Sequence, residues 1–219
     1  MHFDSVKLPN YTKGEELFNA ISHAIGIIFG FIAFSLCFSK ATSTPAYIGA
    51  VIYSLSIIIL YTASTVYHAL EPSLIKKFMR VVDHAVIYVL ISGTSITLML
   101  LAVYPYNRPL AIAMMSVSLI IDIVGTTLTY VDQEKYKTVQ MVLYMVLGWM
   151  CLILIYPIYK YCENATKLIM FVILGGIVYT VGTTFLALGK KKGYFHGIFH
   201  VFVLAGTVLH FLGIYFYLY

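Results

Sequence analysis

Two histidines four residues apart, His196 and His200, open the last apolar segment of this chain. On a helix, positions i and i+4 share a face, so both imidazoles can reach one metal ion. Two further polar groups, His68 and Asp83, stand at the ends of other apolar segments. At about 1.5 Å rise per residue, all four fall within roughly two turns of the same membrane interface. Three imidazoles with a fourth position free is the arrangement of a catalytic zinc site. A carboxylate beside such a site orients water or takes up its proton as general base, and Asp83 is the candidate. Ionisable groups at membrane depth are costly and mark functional sites by default. The spacing by itself leaves two readings open, a metal centre or a set of hydrogen-bonded interfacial histidines.

A second polar set lies on the first apolar segment: Glu16, Asn19, Ser22 and His23. Spacings of three and four put Glu16, Asn19 and His23 on one helical face with Ser22 beside them. They read either as a capped, solvated first turn or as groups that hydrogen-bond metal ligands or substrate. Ser64, four residues before His68, shares that ligand's face, where it bonds the cluster or its own helix. His84 points about 100° away from Asp83 and reads as an interhelical hydrogen bonder. His210 lies about 15 Å deeper than His200 and cannot share its metal. Asp122 needs a partner or water and receives no role from its position.

The elements that must hold these groups are membrane helices. Of the 219 residues, 61% are hydrophobic and 11% charged, against about 25% charged in soluble domains. Seven stretches suffice to cross about 30 Å of hydrocarbon, which takes about 20 helical residues. They fall near 17–39, 46–68, 80–101, 110–130, 138–157, 167–188 and 195–217. Continuous apolar runs without two-residue alternation exclude a β-barrel. The connections are short and carry Pro45, Pro72, Pro105, Pro109, Pro157, Gly189 and Gly193 as breakers. The fold class is therefore all-α, a polytopic bundle of seven transmembrane helices forming one domain over 1–219. The polar start and the length of the first apolar run argue against a removable signal peptide.

Gly26 and Gly30 form a small-residue pair that lets helices approach closely. The N-terminus and even-numbered loops hold Lys7, Lys13, Lys76, Lys77, Arg80, Lys135, Lys137, Lys190, Lys191 and Lys192; the opposite loops hold Lys40, Arg108, Lys160 and Lys167. Ten against four predicts a cytoplasmic N-terminus and an outside C-terminus. The net charge of +5 is thus a topology signal, and scattered basic residues exclude a nucleic-acid surface. Cys37, Cys151 and Cys162 form no CxxC pattern, and their spacing leaves pairing open.

The sequence Glu16-Leu-Phe-Asn19-Ala-Ile-Ser22-His23, with Ser64-Thr-Val-Tyr-His68, Arg80-Val-Val-Asp83-His84, Leu147-Gly-Trp149 and His196-Gly-Ile-Phe-His200, resembles the hemolysin III family. That family stands within a wider class including progestin and adipoQ receptors and, more distantly, alkaline ceramidases. The resemblance covers nearly the whole chain. It implies seven helices with a cytoplasmic-side zinc held by His68, His196 and His200, and a zinc water near Asp83. A bacterial plasma membrane is the implied location, with membrane lipids as environment and as substrate or ligand. Two functions follow as expectations. One is a zinc-dependent hydrolase of a lipid amide or ester, with Asp83 and Ser64 in the chemistry. The other is a non-enzymatic lipid or membrane-state sensor, or the cytolytic pore former of the family's name.

Overall fold

The computed structural model describes residue 3, residues 6–188 and residues 193–219, apart from the side chain of Ala187. Gly189 and the three lysines Lys190, Lys191 and Lys192, read above as a breaker and as topology charge, lie outside the described residues. Helices α1 (Lys13–Lys40), α2 (Thr44–Ala69), α3 (Leu74–Leu98), α4 (Arg108–Asp132), α5 (Lys137–Trp149), α6 (Ile155–Tyr161), α7 (Ala165–Leu188) and α8 (Phe195–Tyr217) account for most of them. Together they make seven segments long and apolar enough to cross a membrane. The fold class is the seven-helix bundle expected from hydropathy.

Local chemistry sets the helix starts. Thr12 and Glu15 form a reciprocal capping box at α1, each side chain serving the other's backbone N–H. Ser43 and Ser73 cap α2 and α3, and Asn107 caps α4. Pro45 and Pro109 fall in first turns, where a missing N–H costs nothing. The third span begins at Leu74 and not near residue 80, because the Ser73 cap starts the helix while its sequence is still charged. It also runs past Leu98 through a π-helical turn, Met99–Val103.

The fifth span departs most from a simple rod. After Trp149 the backbone tightens into a 3₁₀ stretch, Met150–Leu154, before α6 resumes. Pro157 therefore sits in the first turn of α6, where it is tolerated, and does not end the span. The span continues to Tyr161.

Successive spans pack side by side from α1 to α4, and α8 packs against both α7 and α1, closing a ring. The α1–α2 contact is close because Gly26 lies on the Tyr61 ring, which a Cβ there would strike. Tyr61 then hydrogen-bonds the Thr207 hydroxyl at 2.8 Å, and Tyr179 of α7 reaches the same oxygen at 2.8 Å. Tyr53 donates to the Thr207 carbonyl at 3.1 Å. Thr207 is thus a polar node binding α2, α7 and α8 in the apolar interior. Ile28, Phe31, Ile123 and Ile153 point outward, as lipid-facing side chains should. A cavity of about 1110 Å³ opens inside the ring.

Candidate metal centre

His68 lies in the last turn of α2, His196 in the first turn of α8, and His200 one turn further on. The Nε2 atoms of His196 and His68 stand 3.3 Å apart, and those of His200 and His196 3.1 Å. A tetrahedral zinc with Zn–N near 2.0–2.1 Å needs ligand nitrogens about 3.3–3.4 Å apart. Three imidazoles suit such an ion chemically, and these two edges come close to its spacing. Among the described residues these three histidines form the one group with metal-ligand proximity.

Each element is pinned where it enters the cluster. Tyr194, at the start of α8, has a left-handed backbone with φ of 63°. Its N–H donates to Glu15 Oε1 at 3.0 Å, tying the start of α8 to that of α1. This sharp entry, uncommon for a bulky residue, places His196 at the bundle end.

The imidazoles are oriented from behind. His68 donates through Nδ1 to Glu16 Oε2 at 2.7 Å, which leaves Nε2 free to face the cluster. His200 Nδ1 lies 3.3 Å from the Asn19 carbonyl and 3.4 Å from Ser22 Oγ. Ser22 in turn donates to that carbonyl at 2.9 Å. Such outer partners fix tautomer and ring angle in metal sites. His23 stacks on His200 with ring centroids 3.6 Å apart, and it forms a T-shaped pair with Tyr61. The four residues of the first helix thus gather around the histidine cluster, and their capping role passes to Thr12 and Glu15.

Asp83 lines the cavity together with His196, His200, His23 and Ser64. It is 8% exposed and stands outside the three-nitrogen ligand set. Ser64 Oγ is buried with no hydrogen-bond partner among the described residues. His84 shares the cavity wall, its Nδ1 on the Arg80 carbonyl at 2.9 Å. His210 lines the deep end and donates to the Val172 carbonyl at 3.0 Å, apart from the cluster. Asp122 accepts from Thr126 at 3.2 Å. All three cysteines are free.

Two residues at the centre escaped the sequence reading. Tyr11 stacks on His196, centroids 5.3 Å apart and 19° from parallel. Burial pushes its phenol well above the usual tyrosine range, so it covers the cluster as a neutral ring. Lys76, counted only as a topology charge, is 3% exposed and bonds Glu16 Oε1 at 2.6 Å. Its spacing of seven from Asp83, two turns along one helical face, was the available signal.

A model of the family described as haemolysin-III related matches residues 11–211. The chain is 30% identical over 210 residues to the hemolysin-3 homolog of Bacillus subtilis, covering 94% of this chain and 96% of that protein. It is 30% identical to hemolysin-3 of Bacillus cereus, over 93% of this chain and 91% of the relative. The human monocyte to macrophage differentiation factor is 26% identical over 94% of this chain and 85% of its own length. With the seven-span bundle, these matches establish the chain as an integral membrane protein of the haemolysin III-related family.

Proposed function

We propose that this protein is a zinc-dependent hydrolase of a lipid amide or ester, acting near the cytoplasmic interface of a bacterial plasma membrane. The observation that carries the reading is the convergence of three imidazoles, with His196 Nε2 3.3 Å from that of His68 and 3.1 Å from that of His200, beside a cavity of about 1110 Å³ that His196 and His200 line. Zinc held by His68, His196 and His200 supplies a Lewis acid for the scissile carbonyl. Asp83, on the same cavity wall, accepts the proton of the attacking water as general base and returns it to the leaving group. Ser64, with its hydroxyl uncommitted, donates to the carbonyl oxygen as charge grows there. Glu16, Asn19 and Ser22 hold the imidazoles, while Tyr11 shields the outer side from bulk water. Leu60, Ile87, Leu90, Ile91 and Val203 line the deeper cavity and suit an apolar chain.

The test is turnover of ceramide and phospholipid panels by the purified protein, with zinc measured on the same samples. Asp83→Asn keeps the shape but cannot take a proton. It should retain zinc and lose about 10²–10⁴-fold in rate, the usual share of a general base. Full turnover by that variant would retire Asp83 as base. The second reading is a sensor in which zinc only ties α2 to α8; the half-buried bond from His68 to Glu16, which orients the ring without touching the cavity, favours it. Zinc retention with no turnover on any lipid supports that reading. Dye leakage from lipid vesicles on addition of the purified protein would instead support a pore, the activity suggested by the name of the Bacillus cereus relative.

A further inference from the structure

Lys76 is a buried lysine in the first turn of α3, and lysine is almost never buried unless paired. Its ammonium donates to Glu16 Oε1 at 2.6 Å and to the Leu70 carbonyl at 2.7 Å. It also lies 5.3 Å over the Tyr67 ring. Leu70 is the C-cap of α2, so the charge sits at the carbonyl end of the helix that carries His68, where a cation is favoured. The other oxygen of Glu16 accepts from His68. Lys76, Glu16 and His68 therefore form one continuous chain of short contacts across α3, α1 and α2.

We propose that Lys76 is a positioning residue of the metal centre, holding Glu16 on His68 and setting the rotation of α3 that turns Asp83 into the cavity. The inference rests on the metal-centre reading above. Glu16 has one oxygen for each partner, and with both in use its carboxylate cannot rotate away from His68 Nδ1. That bond keeps the proton on Nδ1 and the lone pair of Nε2 on the cluster. The same lysine anchors the first turn of α3 to the end of α2, and Asp83 follows two turns later on the same face. Without the ammonium, Glu16 loses the group that fixes its orientation.

The test is zinc affinity by chelator competition on the purified full chain, with Lys76→Met, Lys76→Arg, Glu16→Gln and the double variant Glu16→Gln/Lys76→Met. Loss of an outer partner typically weakens metal binding about 10–100-fold. Lys76→Met should fall in that range, Lys76→Arg should recover most of it, and the double variant should bind no more weakly than Glu16→Gln alone. Lys137→Met, on an exposed lysine, should leave affinity unchanged. Wild-type affinity in Lys76→Met, or losses that multiply in the double variant, would overturn the proposal. Nitrogen-15 imidazole spectra of the zinc-free protein give a separate readout. His68 should be the Nδ1–H tautomer in wild type and a mixture in Lys76→Met; an unchanged tautomer refutes the link. Should Lys76→Met fail to fold, Lys76→Gln carries the same comparisons. A wild type that binds no zinc would refute the centre itself, and the tautomer shift would still decide the role of Lys76.

Discussion

Replacing Thr207 with valine removes one oxygen from the interior and almost nothing else. That oxygen accepts from Tyr61 and Tyr179 at 2.8 Å each and donates to the Val203 carbonyl at 3.0 Å. Valine has the same shape, so packing of α2, α7 and α8 is retained while two buried phenols lose their acceptor. Side-chain hydrogen bonds between membrane helices average about 0.6 kcal/mol and reach about 1.7. Two of them put the loss at about 1–3 kcal/mol. Tyr61 also meets His23 edge-on, and His23 stacks on His200, so the histidine cluster should loosen slightly but stay together. Thermal or detergent unfolding of the purified Thr207→Val protein, followed by tyrosine and tryptophan fluorescence, measures the stability change. The same experiment on Tyr61→Phe and on Tyr61→Phe/Thr207→Val completes a double-mutant cycle. Unchanged stability, or strictly additive losses, would refute Thr207 as the node joining these helices.

Three other outcomes follow from the geometry. Chelation should lower the melting temperature of the wild type by uncoupling α2 from α8, and should leave that of His68→Ala unmoved; calorimetry with and without chelator checks this. Zinc and protons compete for imidazole nitrogen, so zinc-dependent stability should be lost on acidification; melting curves of metal-loaded protein across pH should show that direction. Reporter fusions should place the N-terminus inside and the C-terminus outside, as the charge count requires, and a cytoplasmic C-terminus would remove the topology and move the centre to the other interface.

The spans were legible because hydrocarbon thickness leaves few choices for runs this apolar, and the caps and prolines mark most of their starts. The third helix starts ahead of the span expected from hydropathy, because Lys76, Lys77 and Arg80 look like loop residues while Ser73 already caps the helix. The 3₁₀ stretch after Trp149 was not legible at all, since Met150–Leu154 has the composition of any membrane helix.

The site divides along the same physical line. Residues related by helical spacing, His196 with His200 and Glu16 with Asn19 and His23, could be grouped on paper, because a helix fixes their relative positions. Which helices meet is a property of the bundle, and there the sequence supplied only matching depth. The one face of Lys76 and Asp83 shows what such depth arguments overlook. A lysine at a membrane interface is counted as a topology signal, yet its four-carbon stem lets the charge turn inward to a half-buried carboxylate. Two turns of α3 separate that anchor from Asp83. The same helix face therefore carries both the lysine that bonds Glu16 and the carboxylate that lines the cavity, so moving α3 disturbs both together.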